Sequence, residues 1–111
     1  MKKQTASHES DRMQSLVSTA QEMKEAFAAK TADVPYELRG VLFSEVLFIA
    51  ATLRSTSVGR ILESGRARGQ STLLLAKCFP DTRIVSIDYE PGTEDAETAE
   101  SRLVPCENVA L

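Results

Sequence analysis

The chain carries no surplus of basic residues: 13 Lys plus Arg stand against 16 Asp plus Glu, a formal net charge of −3. That balance argues against nucleic acid as a partner, because domains held to phosphate by bulk charge carry a clear basic excess. Cysteine is scarce. Cys78 and Cys106 stand 28 positions apart with no second Cys or His at ligand spacing, which speaks against zinc and for two reduced thiols of a cytoplasmic protein. Long hydrophobic runs are missing too. The most apolar stretch, Val41 to Leu53, is interrupted by Ser44, Glu45 and Thr52, short of the roughly 20 apolar residues that span a bilayer. Lys2 and Lys3 have no apolar run behind them, so the start does not read as a secretory signal, and no membrane partner is expected. Repeats, low-complexity tracts and Gly/Ser linkers are also lacking, so nothing divides the 111 residues into two domains.

What is present suits a globular chain, with 42% hydrophobic and 26% charged residues. Residues 1–9 are expected to be a flexible tail, residues 10–58 a helical region, and residues 59–111 a region of alternating strands and helices. Met13, Leu16, Val17, Ala20, Met23 and Phe27 recur at the spacing of one helical stripe between Ser10 and Lys30. Asp33 is expected to cap a second helix with Pro35 in its first turn. That helix is expected to run from Tyr36 to about Ser55, mostly buried through Val41, Leu42, Val46, Ile49, Ala50 and Leu53. The apolar faces of these two helices are candidate surfaces for self-association.

Arg60-Ile61-Leu62-Glu63-Ser64 reads as a strand ending in a carboxylate. A turn, Gly65 to Gly69, leads into an apolar helix from Gln70 to Phe79, and Arg83 to Asp88 reads as a second strand closed by an acid. Strand, helix and strand make a βαβ unit with parallel strands. Thr93 is expected to cap a further helix that ends before Pro105, and Asn108 to Leu111 reads as the opening of a third strand.

In an open α/β sheet, ligands sit beyond the carboxyl ends of the strands, and Glu63, the Gly65–Gly69 turn and Asp88 all map to that edge. Glycine lets backbone approach a ligand, and an acid ending the second strand can accept hydrogen bonds from ribose hydroxyls. The combination points to an adenosine-type ligand. A dinucleotide fingerprint fails because positions 67 and 70 are Ala and Gln, and a P-loop fails because Gly69 is followed by Gln70-Ser71-Thr72. Arg66 and Arg68 are expected to be a solvated pair rather than a clamp on a substrate carboxylate.

The run from Ile61 to Thr72, with its acid-x-Gly-x-x-x-Gly pattern, together with Ile84-Val85-Ser86-Ile87-Asp88-Tyr89-Glu90, resembles the first two signature motifs of class I S-adenosylmethionine-dependent methyltransferases. The resemblance covers about Arg60 to Leu111. It departs from the family pattern where Ala67 replaces the middle glycine. It implies an α/β fold with a Rossmann-like parallel sheet, incomplete, with two strands plus the start of a third, preceded by two N-terminal helices. It also implies S-adenosylmethionine as the cofactor. Gly65 and Gly69, with Ser64 and Ala67 in the same turn, would lie against its methionine part. Glu63 would orient the turn or the amino group, Asp88 would hold the ribose hydroxyls, and Tyr89 would lie beside the adenine. The expectation is a truncated or fragmentary methyltransferase, a cofactor-binding half without the acceptor half and inactive as this chain alone. Two alternatives stay open: a non-catalytic interaction module with a relic nucleotide turn, and another Rossmann-type nucleotide-dependent enzyme. No residue is assigned as general base, and the methyl acceptor is unassigned.

Overall fold

A computed structural model describes residues 2–37, 41–89 and 92–111, with side chains from His8 onward. The described residues fold as α/β, with four helices and one three-stranded parallel sheet. The helices are α1 (Lys2–Lys30), α2 (Phe43–Thr52), α3 (Gln70–Cys78) and α4 (Glu94–Leu103). The strands are β1 (Arg60–Ser64), β2 (Arg83–Ile87) and the short β3 (Val109–Ala110).

The strands lie in the order β1-β2-β3, with Ile61 beside Ile84 and Ile84 beside Val109. Parallel neighbours in sequential order, joined by crossovers of one hand, put both crossover helices on the same side of the sheet. The burial pattern shows it. Ile84 and Ser86 are fully buried under α3 and α4, while the alternate positions Leu62 and Ile87 are 69% and 50% exposed. The core sits between the covered face and the helices, built on Val46, Leu74, Ile84, Ala99 and Leu103. Asn108 anchors the far end: its Nδ2 lies 3.3, 3.0 and 3.1 Å from the carbonyls of Ala76, Phe79 and Thr82, so its two hydrogens are shared among three acceptors.

Three expectations are corrected at the N-terminal side. The first helix starts at Lys2 rather than Ser10, within the segment expected as a tail; no Gly or Pro interrupts residues 2–30, so local propensity lets the helix run on. The second helix begins at Phe43, not Tyr36, and Asp33 does not cap it. Asp33 lies in the turn after α1 and its carboxylate pairs with Lys77 Nζ at 2.7 Å. The expected helix positions 38–40 lie outside the described residues. Finally, α2 is less buried than its composition suggests: Val46, Ala50 and Ala51 face the core, but Phe48 and Ile49 remain 39% and 42% exposed. With ten residues of mostly apolar sequence packed chiefly on α1 and α3, it has more hydrophobic surface than neighbours to cover it.

α1 contains 29 residues, about 43 Å of helix, and accounts for the 54 Å long axis of a molecule otherwise 29 by 28 Å. Its C-terminal half packs inward through Ala20, Met23 and Phe27, with the Phe27 ring edge-on to Phe43 at 6.4 Å. Met13 and Val17 in the other half are 60% and 37% exposed. Among the described residues, no helix is long and apolar enough to cross a membrane.

Candidate functional site

The first turn beyond β1 is held by left-handed backbone. Gly65, Ala67 and Gly69 have φ of +79°, +44° and +90°, a region that costs most L-residues roughly 1–2 kcal/mol. The Gly65 N–H donates to the Ile87 carbonyl at 2.8 Å, and the Gly69 N–H to the Arg66 carbonyl at 2.7 Å. The first bond ties the turn after β1 to the end of β2, which brings Asp88 and Tyr89 to the same edge of the sheet.

Two hollows flank this turn and share Ala67. One, of about 260 Å³, is lined by Gly65, Arg66, Arg68, Gln70, Ser71 and, from the N-terminal region, Glu37 and Val41. The other, of about 320 Å³, is lined by Asp88, Tyr89, Thr93 and Asp95. Asp88 accepts the Tyr89 N–H on Oδ1 at 2.7 Å, which leaves Oδ2 with no partner among the described residues. Tyr89 is 91% exposed. Glu90, next along the expected motif, lies outside the described residues.

Glu63 stands under the turn and not in either hollow. Its Oε2 accepts from Ser71 Oγ at 2.6 Å, and its Oε1 accepts from Ser86 Oγ at 2.9 Å and from Thr72 Oγ1. Three hydroxyls thus occupy both oxygens, and the carboxylate braces β1 and β2 against the first turn of α3. Gly69 is also turned away from the hollows. A Cβ there would lie 3.2 Å from both Cα and Cβ of Ala99, so the missing side chain makes room for α4. At Gly65 a Cβ would meet nothing within 4 Å. Ser64 is exposed at the end of β1 and lines neither hollow.

The two arginines of the turn are not a solvated pair. Arg66 is 8% exposed and donates from Nη1 to the Ser86 carbonyl at 2.9 Å, while its Nε is buried with no partner among the described residues. Arg68 donates from Nε to Glu37 Oε2 at 2.8 Å and reaches Asp95 Oδ1 at 3.4 Å. Arg102 pairs with the other Glu37 oxygen and donates to the Arg68 carbonyl at 3.3 Å. Gln70 completes this strap: Oε1 accepts the Glu37 N–H, and Nε2 donates to the Val41 carbonyl at 2.8 Å.

The hydrogen bond from Arg102 holds the Glu37 carboxyl below its ordinary range, with Arg68 adding to the effect. Arg68 is raised in turn by the charge of Glu37. Burial pushes the Cys78 and Cys106 thiols up, keeping them neutral and poorly nucleophilic.

Glu37, Val41 and Arg102 were not legible as site residues, because nothing local marks a group that meets its partner 29 to 65 positions away. Gln70 carried a weak signal as the first residue of α3. Glu63 with Ser71 and Thr72 carried a better one, since hydroxyls in the first turn of the helix that follows a strand lie over that strand's last residues. The start of α3 has no side-chain cap and no acid in its first turn, so its leading N–H groups form a donor surface beside the first hollow. Among the described residues, no group of three or more His, Cys, Asp or Glu stands together to hold a metal ion. Comparison with family models, with curated proteins and with solved structures gave no match for this chain.

Proposed function

We propose that this chain is the cofactor-binding part of an S-adenosylmethionine-dependent methyltransferase with a Rossmann-like sheet. The observation that carries the reading is the pair of hollows sharing Ala67, one bounded by the glycine turn after β1 and the other by Asp88 and Tyr89 after β2. Together they fall within the size range of small-molecule sites, roughly 300–1,000 Å³. An adenosyl ligand has two polar ends, and each hollow offers matching groups. In this reading Asp88 Oδ2, unpartnered among the described residues, takes the ribose hydroxyls, the exposed Tyr89 ring the adenine, and the uncapped start of α3 beside Gly65 the carboxylate of the amino-acid end.

Glu63 acts in this reading only through the turn. With both oxygens taken by hydroxyls it positions Ser71 and Thr72, and through them the start of α3. The cofactor supplies an electrophilic methyl group on sulfur. This chain's contribution is to orient it, and positioning is the main source of rate in such a displacement. The reading takes the protein to be cytoplasmic, in keeping with its two free thiols.

Calorimetric titration with S-adenosylhomocysteine, with NAD and with buffer tests the reading. S-adenosylhomocysteine is expected to bind, and Asp88→Ala to weaken it by about tenfold or more through loss of charge-assisted hydrogen bonds. Binding of NAD alone, or of neither ligand, refutes the assignment.

A further inference from the structure

The stripe on α1 is only half used within the chain. From Ala20 onward it packs on α2, but one and two turns earlier Val17 and Met13 are 37% and 60% exposed. Glu9 falls on the same stripe one turn before Met13, at the i, i+4, i+8 spacing of one helix face. The sheet has a matching want. On the face away from α3 and α4, Leu62 and Ile87 are 69% and 50% exposed, with Val85 half-buried between them. Arg60 and Arg83, paired in register, start that face. Neither arginine, nor Glu9, has an ion pair among the described residues.

The two surfaces agree in spacing as well as in kind. Glu9 precedes Met13 by about 6 Å and Val17 by about 12 Å along the helix. Arg60 precedes Leu62 by about 7 Å, and Arg83 precedes Ile87 by about 13 Å, along the strands. A helix laid along the sheet therefore sets acid over base and apolar over apolar in one placement. Within the chain α1 packs on α2 and α3, and the element that borders the open face at Leu62 is α2 rather than α1.

We propose that the open sheet face binds the free half of α1 from a second copy of this chain, with Glu9 over Arg60 and Arg83 and with Met13 and Val17 over Leu62, Val85 and Ile87. The contact is head-to-tail: helix on one protomer, sheet on the next. Such contacts either close into a small assembly or extend into a chain.

Light scattering on the size-separated 111-residue chain tests this. Wild type is expected to associate, Met13→Glu/Val17→Glu to be monomeric, and Leu62→Asp/Ile87→Asp to be monomeric. Mixing the two variants is expected to restore a one-to-one complex, because one retains the sheet and the other the helix. Glu9→Arg should weaken association about tenfold or more, and adding Arg60→Glu/Arg83→Glu should restore it. Should the double variants lose their helical circular dichroism, the charge-reversal set decides alone. A wild type that stays monomeric up to about 200 µM, where even weak specific contacts populate, overturns the proposal. So does a mixture that remains monomeric, association that survives either double variant, or charge reversal without rescue.

Discussion

Gly69 and Gly65 occupy the same turn with similar backbone angles, φ of +90° and +79°, yet the structure assigns them different costs when each is replaced by alanine. The left-handed backbone penalty, roughly 1–2 kcal/mol, applies to both. The loss of unfolded-state freedom, about 0.4–1 kcal/mol in the stabilising direction, also applies to both and drops out of the comparison. What remains is packing. At Gly65 the new methyl enters open space, whereas at Gly69 it meets Ala99 Cα and Cβ at 3.2 Å and α4 must give way. Overpacking of this kind costs about 1–3 kcal/mol. Gly69→Ala is thus expected to destabilise by about 2–4 kcal/mol and Gly65→Ala by about 1 kcal/mol, against a total of about 5–15 kcal/mol for a typical domain. Urea unfolding of both variants measures the difference directly. In an Ala99→Gly background, which itself costs about 1 kcal/mol in a helix interior, Gly69→Ala should destabilise less than it does in wild type, since the clash with the Ala99 methyl is relieved while the crowding against its backbone persists. Equal stability of the two single variants, or a Gly69→Ala cost unchanged by Ala99→Gly, would refute the packing argument.

Two further outcomes follow from the site. Glu63→Ala leaves the fully buried Thr72 and Ser86 hydroxyls without their acceptor, at about 1–3 kcal/mol for each unsatisfied group. Glu63→Gln keeps one acceptor oxygen and should lose about half as much in the same urea assay; a neutral Glu63→Ala would show that the hydroxyls find other partners. The Glu37 strap predicts a pH dependence. Its carboxyl is held below the ordinary range chiefly by Arg102, so its contribution is fully present above the unfolded-state pKa and is lost as pH falls through the lowered folded-state value. Glu37→Gln should be less stable than wild type at neutral pH, and the gap should shrink as pH falls below the ordinary carboxylate range towards the lowered folded-state value. A gap that persists unchanged into acid contradicts the ionic strap.

The second half of the chain was legible because its signals are local. Arg60–Ser64 and Arg83–Ile87 are short apolar runs bounded by turns, and they form parallel strands in register. Thr93 caps α4 by accepting the Ala96 N–H on its hydroxyl at 3.1 Å, as a Thr followed by acidic residues indicates. The start of α2 was not legible. Apolar periodicity continues through residues 36–42, but the backbone of Glu37 and the carbonyl of Val41 are claimed by Gln70, 33 and 29 positions on. A tertiary bond of that span leaves no mark in a short window; the local mark that was there is Gly40, a poor helix former three positions before Phe43. The same applies to Arg66, whose burial depends on Ser86 across the sheet rather than on its neighbours in the turn.

The strap also bears on how anything enters the hollow that it roofs. Glu37 and Val41 line that hollow, and they are tied to its floor by Arg68, Arg102 and Gln70 rather than by apolar packing. Charged contacts near water weaken as dissolved ions accumulate, over a screening distance near 8 Å at physiological salt. The Glu37 pairs are direct contacts between side chains only 20–32% exposed, and the Gln70 bonds carry no net charge, so dissolved ions should slacken this doorway only slightly.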